Sequence, residues 1–158
     1  MSPKRIVYTR PDGGVSVVIP APEFVAQFTT EEEALAAIQI KDVPVGSSNI
    51  LVVNVAEIST SRRFRNAWRQ AGAVAPQVDM PSARTQRTNE VRVERDRKLT
   101  KSDVDLLRAQ EVGNTILQSV LTDYRQKRRD LPVTERPNMD AITSPDALAA
   151  WIPAWPTD

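Results

Sequence analysis

The stretch from Asp79 to Pro132 constrains the fold most, because it holds three successive helix-length segments and most of the chain's positive charge. Asp79 stands two residues before Pro81, and a proline in the first turn of a helix loses no bond, since its missing N–H would be unpaired there anyway. A first helix is therefore expected from Met80 to about Leu99. Its apolar side is thin: Ala83, Val91 and Val93 stand among Arg84, Arg87, Arg92, Arg95, Arg97 and Lys98, so a partner has to cover it or it stays wet. Thr100-Lys101-Ser102-Asp103 offers a new cap for a second short helix with Val104, Leu106, Leu107 and Ala109, ended by Gly113. Asn114 is expected to cap a third helix that Pro132 stops. Along it Leu117, Val120, Leu121, Tyr124, Arg128 and Leu131 recur at three- and four-residue steps, the best amphipathic stripe in the sequence. The plain interpretation is a helical hairpin with Leu117, Leu121 and Tyr124 in its core.

The preceding segment reads as a small ββαβ module. Arg5–Arg10 and Val15–Ile19 are strand-like runs either side of Pro11-Asp12-Gly13-Gly14, a hairpin turn. Glu23 to Phe28 suits a turn or a short helix. Thr29-Thr30-Glu31-Glu32-Glu33 reads as a capping box that opens a helix from Glu31 to Ile40. Residues 49–55 are apolar on both faces, the pattern of a central strand covered on each side. Ser59 to Gln70 is ambiguous: Phe64, Ala67, Trp68 and Ala71 fit a short helix, the preferred reading, whereas Phe64, Asn66 and Trp68 alternate as in a strand. After Pro132 the long helical period is lost, four further prolines follow, and Ser144-Pro145-Asp146 opens one or two helical turns. The expected class is α+β: an α+β module over 1–59, a junction over 60–79 plugged by Phe64 and Trp68, a helical region over 80–132, and a Pro/Trp-rich tail over 133–158.

Charge and composition narrow the chemistry. Residues 1–59 carry 4 basic and 7 acidic side chains, residues 60–131 carry 16 and 9, and residues 132–158 carry 1 and 4. A basic middle between acidic ends can meet an acidic partner, nucleic acid, or its own termini. Cysteine and histidine are both absent, which removes disulfides, thiolate nucleophiles, the usual zinc ligands and the commonest acid/base group near neutrality. No Gly-rich phosphate loop occurs, and the carboxylate pairs Glu94/Asp96 and Asp103/Asp105 stand two apart on helices and point in different directions. No catalytic residue, cofactor or metal site is expected. No run of 18 apolar residues exists, so neither a membrane span nor a membrane partner is expected, and the chain reads as soluble.

Several short stretches resemble a family of small proteins of tailed bacteriophages and prophages, tail-assembly or tail-fibre-assembly chaperone-like. They are Tyr8-Thr9-Arg10-Pro11-Asp12-Gly13-Gly14-Val15, Arg63-Phe64-Arg65-Asn66-Ala67-Trp68, Val78-Asp79-Met80-Pro81, Arg125 to Pro132, and Ser144 to Leu148 with Trp151 and Trp155. The resemblance implies a non-enzymatic protein that binds tail or tail-fibre proteins, assembled in the host cytoplasm and carried in the virion tail. One alternative is an assembly chaperone absent from the particle; another is a DNA-binding accessory protein using the Arg-rich helices. Self-association is a further option. The candidate partner-binding residues are Trp151, Ile152 and Trp155 of the tail with Arg84, Arg87 and Arg95 of the first long helix. Against nucleic acid, Glu90, Glu94, Asp96, Asp123 and Asp130 interrupt the basic clusters at ion-pair spacing.

Overall fold

In the computed structural model, residues 3–59, 61–72 and 74–156 are described. The fold is α+β, a small antiparallel sheet followed by helices. The chain divides into two compact units, residues 1–83 and 84–158.

The first unit has the expected ββαβ order. β1 (Lys4–Thr9) and β2 (Val15–Val18) form the hairpin, with Gly13 at φ 80° and the Arg10 amide donating to the Gly14 carbonyl at 2.7 Å. Glycine adopts that φ without a Cβ clash. A single helical turn, α1 (Pro22–Val25), precedes α2 (Glu31–Asp42). Thr30 and Glu33 cap α2 reciprocally: the Glu33 amide donates to Thr30 Oγ1 and the Thr30 amide to Glu33 Oε2, both at 3.2 Å.

The last strand corrects one expectation. Among the described residues β3 (Ser48–Asn54) pairs with β1 alone, and the sheet order is β2-β1-β3. The central strand is β1. Its Val7 packs with Val15, Val53 and Trp68 on one face, while Ile6 packs with Leu35 and Ile38 of α2 on the other. An apolar run does not reveal how many neighbours a strand has, and Val52 of β3 lies 44% exposed at the sheet edge.

A second correction concerns residues 59–70. Among the described residues of this stretch there is no α-helix: one 3₁₀ turn (Arg65–Ala67) leads into β4 (Trp68–Arg69), which pairs antiparallel with β5 (Gln77–Val78). Burial of the Trp68 ring in the sheet core decides the matter against helical spacing. Phe64 is buried as well.

α3 (Met80–Glu111) starts at Asp79, whose carboxylate accepts from the Ser82 amide at 2.9 Å and from the Ser82 hydroxyl. Those two bonds hold the Asp79 carboxyl below its ordinary range, the hydroxyl most strongly. A lowered folded value means stability that is present above the unfolded value of about 3.9 and lost as pH falls through the folded one. Asp79→Ala should therefore cost about 0.5–2 kcal/mol at neutral pH. Urea titrations across pH check this, and the gap between variant and parent should close in acid.

α3 does not stop at Leu99. It runs on unbroken through Thr100–Asp103, where a second cap was expected. There the Thr100 hydroxyl donates to the Asp96 carbonyl at 3.0 Å and the Ser102 hydroxyl to the Leu99 carbonyl at 2.8 Å. Hydroxyls that bond back to the preceding turn leave the backbone ladder intact. Gly113, at φ 67°, ends α3, and Asn114 Oδ1 caps α4 (Thr115–Thr134) by accepting from the Leu117 amide at 3.0 Å, as expected. Pro132 does not stop α4, which continues for two residues because the Glu135 amide still reaches the Leu131 carbonyl at 2.9 Å. Two short helices follow, the unforeseen α5 (Arg136–Asp140) and the expected α6 (Pro145–Ala150), the latter capped by Ser144 Oγ.

Candidate functional site

The second unit is tied together by arginines used as internal donors. Arg84 donates to the Ile142 carbonyl at 2.8 Å. The buried Arg87 donates to Glu90 at 2.9 Å and to the Trp151 carbonyl at 2.8 Å, with its guanidinium 5.6 Å from the Trp151 ring centroid. Lys98 lies 5.0 Å from the centre of the Trp155 ring. The tail thus runs along α3, with Pro153 buried between the two cation–π contacts. Thr88, Val91, Pro132, Met139 and Trp151 converge on one narrow crevice. Of the candidate partner-binding residues, Arg84, Arg87 and Trp151 are engaged within the unit. Arg95 bonds the neighbouring Asp96 at 2.7 Å, Trp155 is half-buried and Ile152 is 76% exposed.

Toward the tip of the hairpin the arrangement changes. Polar side chains of α4 tie it to α3. Arg125 reaches the Leu99 carbonyl at 3.2 Å and pairs with Asp103 at 2.5 Å. Arg128 donates to the Lys98 carbonyl at 2.9 Å, and Gln118 Nε2 to the Ala109 carbonyl at 3.1 Å. Between these ties lies an apolar groove of about 880 Å³. Its floor is Ala109 of α3 with Leu117, Val120, Leu121 and Tyr124 of α4; Val112, in the turn after α3, lines it at the hairpin tip, Lys101, Asp105, Arg108, Asp123 and Lys127 edge it, and Pro156 stands on its border. The stripe read as hairpin core therefore divides. Leu131 and Arg128 are buried, the latter with its guanidinium 3.8 Å from the Tyr124 ring centroid, whereas Leu117 is 42% and Val120 59% exposed.

The charged side chains at the groove's edge are largely paired with one another. Asp105 pairs with Arg108 at 4.0 Å and Asp123 with Lys127 at 2.7 Å, and no group of three or more metal-binding side chains occurs among the described residues. Nor, among those residues, is any helix long and apolar enough to cross a membrane. What the groove can do is take up apolar side chains along two helices.

Residues 88–147 match the family model described as phage tail assembly chaperone protein. Over that segment the chain is phage tail assembly chaperone-like. The match spans less than half of the chain and takes in most of α3, all of α4 and α5, and the start of α6. No curated protein and no solved structure matches. The chaperone-like segment includes the whole groove floor and two of the stretches that carried the resemblance, Arg125–Pro132 and Ser144–Ala147; Tyr8–Val15 and Arg63–Trp68 lie outside it. The match points to a non-enzymatic role in phage tail assembly. Sequence reasoning found the groove's α4 side through the stripe. It missed Val112 and the Lys101/Asp105/Arg108 edge, because it broke α3 at Thr100.

Proposed function

We propose that the protein acts in phage tail assembly by holding an apolar segment of a tail protein in the α3/α4 groove, within the host cytoplasm, and releasing it as the tail forms. The observation that carries this is one coincidence. The family match falls on the part of the chain whose best amphipathic stripe is left open to solvent at Leu117 and Val120. A stripe at that spacing normally goes to a core or a partner. The tail supports a second reading, a protein that stays in the virion, because Ile152 projects from the otherwise packed segment and could anchor it in a neighbour. Nucleic acid is less favoured: Arg84, Arg87, Arg125 and Arg128 turn inward onto carbonyls of their own unit.

The test is affinity capture of the tagged full chain from phage-infected cells, with mass spectrometry of the captured proteins and of purified particles. A captured tail protein, with this chain missing from particles, is the expected result. Capture together with a stoichiometric place in the particle would favour the virion reading. Failure to capture any tail protein would overturn both.

A further inference from the structure

We infer that the free protein is a homodimer in which a second copy's hairpin covers the groove until a tail protein displaces it. This rests on the groove being the binding face, as proposed above, and adds what occupies that face beforehand. Three observations select a second copy over other occupants.

The first is charge. Each helix presents both signs along the groove, Lys101, Asp105 and Arg108 on α3 and Asp123 and Lys127 on α4, largely as neutral pairs. A strongly acidic or basic partner would leave one sign facing its like. A copy related by a two-fold axis brings the same alternation and can meet each charge with its opposite.

The second is shape. Beside Gly113 the tip of the hairpin carries Val112, 76% exposed, and Ile116, 79% exposed. These are aliphatic knobs adjoining an aliphatic hole. Two-fold pairing lets the tip of each copy enter the groove of the other, and two helices from each give a four-helix arrangement. A lone pair of antiparallel helices has no third layer in which to bury such a stripe.

The third is size. The groove's lining, from Lys101 to Val112 and from Leu117 to Arg128, spans about three helical turns on each side, roughly 16 Å. Over two helix widths, about 20 Å, such a face offers about 300 Å² per copy, below the range of stable specific interfaces and in the regime of weak complexes that exchange. A groove guarded in this way avoids nonspecific association and still yields to a better-fitting client.

Sedimentation equilibrium of the full chain from about 1 to 100 μM, a range that brackets a micromolar Kd, tests the inference. The parent should move from one toward two chain masses, while Val120→Asp and Ile116→Asp, both at exposed positions, should stay monomeric at every concentration with unchanged circular dichroism. Val133→Asp, exposed but not lining the groove, should dimerise like the parent. A parent that is monomeric throughout, or a dimer that both groove variants leave intact, overturns the inference. Should the monomeric parent still capture a tail protein, only the dimer fails; should a dimer capture none, the tail-assembly reading fails and the dimer stands.

Discussion

Ile6→Ala is expected to destabilise the first unit by about 2–5 kcal/mol, the cost of removing a buried aliphatic side chain and leaving a cavity. Ile6 has no exposed surface, sits on the central strand, and packs against Leu35 and Ile38 of α2. It also stands opposite both Val18 and Val52 in the sheet register, so the cavity would open between helix and sheet where both neighbouring strands meet. A loss of this size is a large share of a small domain's total stability. Denaturant unfolding followed by circular dichroism measures it, with a lower midpoint expected. Val52→Ala, on the edge strand and 44% exposed, should cost much less. Equal losses at the two positions would mean that β1 is not the strand around which the sheet is built.

In the second unit, Leu148→Ala and Leu117→Asp should behave oppositely. Leu148 is fully buried in α6, and its truncation should cost about 2–5 kcal/mol. Leu117 belongs to the strongest hydrophobic stripe of the sequence, yet it is 42% exposed on the groove floor. An aspartate there can keep its carboxylate in water and also lies in the first turn of α4, where negative charge is favoured. Melting curves should show a clear fall for Leu148→Ala and a shift equivalent to less than about 1 kcal/mol for Leu117→Asp. A large loss at Leu117 would return the stripe to the hairpin core.

Several local signals were legible where one residue's chemistry decides the backbone, although Pro132 did not stop α4. The Gly13 turn, the Thr30/Glu33 box, the Asn114 cap after Gly113 and the Ser144 cap all stand where their residue types place them. What the sequence hid was set by neighbours. Residues 49–55 look like a central strand because they are apolar on both faces, but the number of paired edges is a property of the sheet. Trp68 fits a helix by spacing and is drawn into a strand by the core beneath it. Thr100 and Ser102 are cap residues by type and bond backward instead, which hides both the length of α3 and half of the groove. Arg87 looked like surface charge and Arg128 like a member of the α4 stripe; both are buried donors set against aromatic rings. Charge in a sequence does not say which guanidinium turns inward, since that depends on which carbonyls the fold leaves within reach.

The central claim, that the α3/α4 groove is a face for a tail protein and not part of the chain's own core, meets its most direct test in one comparison. Tagged parent and Val120→Asp proteins, matched for folded concentration by circular dichroism, would be used to capture tail proteins from infected cells, with the captured amount quantified by mass spectrometry. The predicted result is a loss of at least tenfold for Val120→Asp, about 1.4 kcal/mol of binding, without a change in its melting curve. Undiminished capture by a folded Val120→Asp protein would contradict the account.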